Sequence, residues 1–133
     1  MKYYLSHKIM GKVGSGADND TQAKNCADAI RVADKLRSEF PKLVLYVPAE
    51  NETFVKIAID SGHLSVKAVL DIDCKIIDNC DGVIVYVPEG DELQGGRLIE
   101  YKHARATKKP VVVFHNVYEA CDYIEAMYRR EQL

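Results

Sequence analysis

Glu100 is the residue of this sequence whose type and place best suit covalent chemistry. It lies about one turn into a helix that Gly95-Gly96 is expected to begin, and helical side chains lean toward the start of their helix. The positive end of the helix dipole favours an ionised carboxylate there. Such a carboxylate can attack the anomeric carbon of a sugar and hold the sugar as an ester. A solvated glutamate would show the same pattern, so position alone leaves both interpretations open.

Asp73 is a second candidate. It lies eight residues before Asp81, which is expected to mark the turn into an apolar strand. Asp73 could reach the edge of a sheet from its helix, but a solvated helical acid is an equally good interpretation on spacing alone. The glycine-rich segment KVGSGADND lacks the P-loop and dinucleotide-binding patterns, so a flexible connection is the better interpretation. The four histidines and four cysteines show no metal-ligand spacing, and neither a metal nor a cofactor is expected.

The elements that must position these acids are short apolar strands separated by helical patterns. Strands are expected at residues 3–6, 43–47, 82–87 and 110–114. Apolar strands without alternation are typical of a parallel sheet covered on both faces. We predict an α/β fold, a flavodoxin-like, doubly wound parallel sheet of four to five strands in the order 2-1-3-4, with three layers.

That strand order opens a crevice beyond the carboxyl ends of the first and third strands, where ligands bind in open α/β sheets. Ser6, His7 and the loop 8–20 are expected on one side of the crevice. The 88–96 loop and the start of the next helix are expected on the other. Acids of this loop could accept hydrogen bonds from sugar hydroxyls, and they are Glu89, Asp91 and Glu92.

Size and composition favour one domain, residues 1–133, of a cytoplasmic globular protein. The chain is 47% hydrophobic and 29% charged. Its net charge of -2 argues against a nucleic-acid or anionic-membrane surface. No apolar run is long enough to cross a bilayer. We therefore expect neither nucleic acid nor membrane as a partner.

From Tyr3 to Phe114 the chain resembles the nucleoside 2-deoxyribosyltransferase family, which also includes 2′-deoxynucleoside 5′-phosphate N-hydrolases and pyrimidine-nucleotide N-glycosidases. The resemblance is strongest in DIDCKIIDNCDGVIVYVPEGDELQGGRLIEYKHARATKKPVVVF. The family pattern there is an Asp, a second Asp that opens an apolar strand, a glycine-containing loop, a Glu, a small-residue helix and a Lys-Pro-Val strand. The opening Tyr-Leu-Ser and the later Val47-Pro48 match more loosely.

The resemblance implies a role for each matching residue. Glu100 matches the nucleophile, and Asp73 matches the acid that contacts the leaving base and handles its proton. Tyr4 matches the tyrosine that hydrogen-bonds and orients the nucleophile. Asp91 or Glu92 would bind the sugar hydroxyls.

The chain departs from the family pattern in the 88–94 loop, which is about two residues longer and places Gln94 six residues before Glu100. Phosphate-binding members usually carry a Ser in this loop, and its absence here favours nucleosides over nucleotides. In the transferases a neighbouring subunit completes the base pocket through its C-terminal tail, whereas this chain ends in a helix. The resemblance to this family implies a homo-oligomer, a dimer or larger.

We therefore predict transfer of 2-deoxyribose between bases through an ester on Glu100, with a nucleoside or nucleotide and a free base as partners. Hydrolysis of a nucleoside or its monophosphate is the alternative, with water as acceptor. A non-catalytic nucleotide-binding module is a third possibility, although it would not need Glu100, Asp73 and Tyr4 together. The predicted substrate-binding residues are Ser6, His7, Asp91, Glu92, Gln94, Gly95 and Gly96.

Overall fold

Strands and helices alternate along the chain in the computed structural model, which describes residues 1–9 and 19–131. The strands are β1 (Lys2–Ser6), β2 (Val44–Tyr46), β3 (Gly82–Tyr86) and β4 (Val111–Phe114). The helices are α1 (Asn19–Glu39), α2 (Glu52–Asp60), α3 (Val66–Asp78), α4 (Gly95–Ala106) and α5 (Val117–Glu131). The strand bounds agree with the sequence prediction to within one residue. The predicted loop 8–20 falls mainly on residues 10–18, which lie outside the described part of the chain.

The strands form a parallel sheet in the order β2-β1-β3-β4. This confirms the predicted order 2-1-3-4, with four strands among the described residues. In the register of β1 and β3, Tyr4 pairs with Val83 and Ser6 pairs with Val85. Because the strands are parallel, the carboxyl ends of β1 and β3 lie side by side at one edge of the sheet.

Helices cover both faces of the sheet, and side chains of β1 alternate between these faces. Tyr3 and Leu5 pack into the core that α1 and α5 share. Tyr4 packs on the opposite face, with Ile77 of α3 and Ala104 of α4. Since strand side chains repeat every two residues, Ser6 lies on the same face as Tyr4. This alternation directs two hydroxyl groups toward α4.

A 3₁₀ turn at Pro48–Asn51 is absent from the sequence prediction. Pro48 occupies the start of the turn. Proline has no N–H, and the first residue of a helical turn does not need one, because its N–H would have no partner within the turn. The turn joins β2 to α2, and its Ala49 N–H donates a hydrogen bond of 3.0 Å to His7 Nε2. The connection is therefore tied to the end of β1.

The helices and cysteines show two further features. Among residues 1–9 and 19–131, no helix combines the length and the apolar character that a membrane crossing requires. All four cysteines are free thiols, and Cys26 and Cys80 are buried.

Candidate active site

The carboxylate of Glu100 is buried and bound at both oxygens. Tyr4 Oη donates a hydrogen bond of 2.6 Å to Oε2, and Ser6 Oγ donates one of 2.7 Å to Oε1. Only 5% of Glu100 is exposed. Hydrogen bonds to a charged acceptor are stronger than neutral ones. The two hydroxyls therefore fix the orientation of the carboxylate.

Tyr4 is itself held in place by packing. Its ring stacks on Tyr46 of β2, with ring centroids 5.5 Å apart and planes inclined by 19°. Burial and the neighbouring Glu100 charge raise the pKa of Tyr4 well above its usual range. Tyr4 therefore stays protonated and acts as a hydrogen-bond donor to Glu100 throughout the physiological pH range.

Glu100 forms part of the wall of a cavity of about 350 Å³ between the sheet edge and the helices α2, α3 and α4. This volume falls within the usual range for a small-molecule site. Much of the wall is apolar, from Pro48, Val55, Ile59, Val66, Val69, Leu70 and Ile99. Six of the predicted site residues also line it: His7, Asp73, Gln94, Gly95, Gly96 and Glu100. Tyr4 and Ser6 lie behind Glu100 and reach the cavity through its carboxylate.

Asp73 of α3 faces the same cavity and interacts with Glu100. Burial raises the pKa of Asp73 to about 6, and the charge of Glu52 also raises it, against hydrogen bonding with Tyr4 and Glu100. Burial raises the pKa of Glu100 to about 7; Tyr4 and Ser6 oppose this rise and Asp73 reinforces it. The two acids therefore share about one proton between pH 6 and 7.

The expectation that the α4 dipole keeps Glu100 ionised is not met, because the pKa of Glu100 is raised. Loss of water around the carboxylate raises its pKa, because desolvation disfavours the charged form. Glu100 is the sixth residue of α4, and the dipole effect falls off within the first turn. Burial therefore outweighs the dipole.

This raised pKa predicts a pH-dependent gain in stability for Glu100→Gln. Because the folded state binds a proton more tightly than the unfolded state, wild-type stability falls as pH rises from about 4.5 to about 7. Because glutamine does not titrate, the stability of the Gln variant does not fall in this way. The variant also keeps a side-chain oxygen that can accept a hydrogen bond. Relative to wild type, it should gain about 1–3 kcal/mol in unfolding free energy between pH 5 and pH 8.

Urea unfolding at the two pH values measures this gain. Glu125→Gln is the matched control, because Glu125 is exposed on α5 and pairs with Arg129 at 2.9 Å. The control should show no such gain. A Glu100→Gln difference that is constant from pH 5 to pH 8 would contradict the raised pKa.

His7 lines the cavity as a neutral side chain with both ring nitrogens engaged. Nδ1–H donates to the Lys8 carbonyl at 3.1 Å, and Nε2 accepts from the Ala49 N–H at 3.0 Å. Burial and the Arg97 charge lower the pKa of His7 to about 4, although the bond to Lys8 opposes this. Both ring nitrogens of His7 are therefore bound within the protein, and its predicted role as a substrate-binding residue stays a prediction.

The acids predicted to bind the sugar hydroxyls do not reach the cavity. Asp91 Oδ2 lies 3.0 Å from Arg97 Nη2 and 3.1 Å from Lys8 Nζ. Burial opposes ionisation of Asp91, but the Glu92 N–H, Lys8 and Arg97 together lower its pKa. Glu92 is exposed, and its carbonyl accepts from Arg97. Neither Asp91 nor Glu92 is among the residues that line the cavity, and sugar binding by either of them stays a prediction.

The start of α4 brings backbone groups and one amide side chain to the cavity. Gly95 has a φ of +61°, in the left-handed region where glycine alone is free of Cβ crowding. This conformation lets the helix begin directly after the loop. Gln94 precedes it, lines the cavity and makes no side-chain capping bond to α4. Its amide is therefore available to a ligand.

Two charged residues of the cavity wall, Glu52 and Arg97, are missing from the sequence prediction, whereas Lys8 belongs to the predicted loop 8–20. Arg97 lies one turn before Glu100 on α4, so helical spacing places both on one face; this signal could have identified it. Glu52 follows an unpredicted 3₁₀ turn, which explains why its position was not foreseen. Within residues 1–9 and 19–131, no three His, Cys or acidic side chains form a group suited to a metal ion.

Comparisons of the chain with protein-family models, with curated proteins and with solved structures found no match. A fold of this kind is compatible with many activities. A function for this chain is therefore inferred from the chemistry of the cavity and from the motifs of the sequence.

Proposed function

We propose that this protein cleaves the N-glycosidic bond of a (deoxy)nucleoside through an ester on Glu100 and transfers the sugar to a second base. The observation that carries the proposal is the buried Glu100 carboxylate, held by Tyr4 and Ser6 in the wall of a cavity that also contains Asp73. Nucleophile, orienting donors and a protonatable acid are the groups that this chemistry needs.

In the first step a Glu100 oxygen attacks C1′ of the sugar and forms a C–O bond. The bond between C1′ and the base nitrogen breaks, and its electron pair stays on the nitrogen. Asp73 donates a proton to the departing base, which lowers the cost of that charge. Tyr4 and Ser6 keep the attacking carboxylate in one orientation. The products of this step are a free base and a glycosyl ester.

In the second step a nitrogen of the acceptor base attacks C1′ and displaces Glu100. The ester bond breaks, its electron pair returns to the carboxylate, and Asp73 takes the proton that the acceptor loses. The enzyme regains its starting protonation state. The apolar walls contributed by α2 and α3 offer a surface for a flat base during both steps.

Hydrolysis is the second candidate, and the position of α5 favours it. α5 packs beside α1, on the face of the sheet opposite Glu100. In the described part of one chain, the C-terminal helix therefore adds no side chain to the cavity wall. Water would then resolve the glycosyl ester, with Asp73 accepting its proton.

Product analysis separates these activities. The protein is incubated with a panel of deoxynucleosides and their 5′-monophosphates, with and without a free base, and the products are resolved by chromatography. The proposal predicts a new nucleoside that forms only when an acceptor base is present. Base release at the same rate with or without acceptor identifies a hydrolase. Unchanged substrates throughout the panel would contradict both reactions and favour a binding module.

The acid pair predicts a bell-shaped pH dependence of kcat/KM with its maximum between about pH 6 and 7. Below this range both acids are protonated and Glu100 cannot attack, and above it neither acid carries a proton for the leaving base; the reactive form is the one in which the shared proton lies on Asp73. Asp73→Asn should remove the alkaline limb. It should also move the acidic limb to lower pH, because Asp73 raises the pKa of Glu100. A flat wild-type profile from pH 5 to pH 9 would contradict this proton sharing.

We further propose that the protein acts in the cytoplasm as a homo-oligomer, with small molecules rather than nucleic acids as its ligands. Its net charge of -2 gives no basic field for nucleic acid. Phe54 and Ile57 of α2 and Ile99 of α4 are exposed apolar side chains on two helices that contribute to the cavity wall, and contact with a second copy would remove them from water. Light scattering during size-exclusion chromatography measures the oligomeric state.

A further inference from the structure

Arg97 lines the cavity, yet the proposed chemistry does not use it. Its side chain is only 2% exposed. Nη1 donates to the Tyr86 carbonyl at 2.8 Å, and Nη2 donates to the Glu92 carbonyl at 2.9 Å and to Asp91 Oδ2 at 3.0 Å. The guanidinium thus binds the last residue of β3 and two residues of the loop that follows.

Asp91 extends this set of contacts to a third segment of the chain. Its Oδ2 also binds Lys8 Nζ at 3.1 Å, just beyond the end of β1. Its Oδ1 accepts the Glu92 N–H at 2.9 Å. The Asp91 carboxylate and the Arg97 guanidinium therefore join the ends of β1 and β3 to the loop and to α4. We call Lys8, Asp91 and Arg97 the clamp.

The clamp lies directly beside the proposed reaction centre. Arg97 precedes Glu100 by one helical turn on α4, and Tyr4 and Ser6 bind Glu100 from β1. Gly95 and Gly96 belong to α4 together with Arg97 and Glu100, whereas the cavity-lining Gln94 is the last residue of the loop. The position of Gln94 relative to the Glu100 carboxylate therefore depends on how firmly the loop is attached.

We propose that Arg97 is a positioning residue, which, given the proposed function, fixes the 88–94 loop against the sheet and so holds Gln94 in the cavity wall, where a nucleoside binds with C1′ facing Glu100. Arg97 acts through the loop and through Gln94. It does not hold the nucleophile, because Tyr4 and Ser6 do so independently. Loss of the clamp should therefore weaken substrate binding more than it slows the chemical step.

A lysine cannot replace this guanidinium. Arginine presents several N–H donors in a rigid planar fork, whereas lysine is a single point charge on a flexible stem. Arg97→Lys keeps the charge near Asp91 but cannot satisfy the Tyr86 carbonyl, the Glu92 carbonyl and the Asp91 carboxylate together. The loop should therefore detach in part while the net charge of the site is unchanged.

Steady-state kinetics with a deoxynucleoside substrate test the proposal. Arg97→Lys should raise KM about tenfold or more and change kcat by less than about threefold. Asp91→Asn, which keeps side-chain shape, should raise KM to a smaller extent. The double variant should resemble Arg97→Lys alone, since residues of one network are not additive. Arg105→Lys is the control, because Arg105 lies on the exposed side of α4 over the Tyr101 ring.

Hydrogen exchange of the backbone amides in residues 87–96 supplies a readout that does not depend on turnover. Exchange there should become faster in Arg97→Lys and Asp91→Asn but not in Arg105→Lys. Unchanged exchange together with unchanged KM would overturn the proposal. A lower kcat and a lower melting temperature at constant KM would also overturn it, because they indicate a purely structural role. If the wild type turns over no nucleoside, the proposed function fails, and unchanged exchange would then overturn the clamp separately.

Discussion

Glu100→Gln is expected to lower turnover by roughly 10⁴-fold or more, since loss of a nucleophile has effects of this size. An amide oxygen is a far weaker nucleophile than a carboxylate, while the variant keeps nearly the same shape between Tyr4 and Ser6. Among the described residues that line the cavity, Asp73 and Glu52 are the other acids. Neither of these acids is held by a pair of hydroxyl donors in the way that Tyr4 and Ser6 hold Glu100.

Glu100→Ala tests the same claim with a larger structural change. Alanine suits a helix, but the buried hydroxyls of Tyr4 and Ser6 lose their acceptor, which costs about 1–3 kcal/mol for each group left unpaired. Removal of a buried charge offsets part of that cost. Both Glu100 variants should fold, as judged by circular dichroism, and the surface variant Glu125→Gln should retain full activity. Turnover near the wild-type rate in either Glu100 variant would refute the mechanism.

Asp73→Asn is expected to lose roughly 10²–10⁴-fold in kcat with a natural nucleoside, the usual size of general acid catalysis. The loss should be much smaller with a 4-nitrophenyl 2-deoxyriboside, whose leaving group departs without a proton. The ratio of the two losses therefore measures proton donation. Burial raises the pKa of Asp73 to about 6, which keeps part of the population protonated near neutral pH.

Asp71→Asn is the matched control for this experiment. Asp71 lies two residues earlier on α3, is exposed and pairs with Lys67 at 3.4 Å. It should behave as wild type with both substrates. Equal losses for Asp73→Asn on the natural and activated substrates would show that Asp73 binds or stabilises rather than transferring a proton.

The fold could be predicted because its strands are continuous apolar segments bounded by clear breaks. The run Gly82–Tyr86 follows Asp81. The apolar segment 43–47 ends at Pro48. Helical periodicity between such strands leaves few right-handed windings of a parallel sheet. The strand order then places the ends of β1 and β3 together, which is why the approach of Tyr4 to Glu100 could be predicted.

The electrostatics of the site and the contacts of its loop could not be predicted in the same way. Whether burial or the helix dipole controls the pKa of Glu100 depends on how much water the folded chain excludes. Whether Asp91 faces a sugar or an arginine depends on loop conformation, which lacks periodicity. The environment of His7 likewise depends on the unpredicted 3₁₀ turn, because the Ala49 N–H of that turn donates a hydrogen bond to His7 Nε2.

Trapping the glycosyl ester tests the central claim most directly. A 2′-deoxy-2′-fluoronucleoside slows both steps, because fluorine destabilises positive charge at C1′, and the ester should accumulate. After trypsin digestion, mass spectrometry should find the fluorinated sugar on the peptide of residues 98–102, with fragmentation placing it on Glu100. The adduct should be absent from Glu100→Gln. An adduct on a different residue, or equal labelling of the Glu100→Gln protein, would contradict the assignment of Glu100 as the nucleophile.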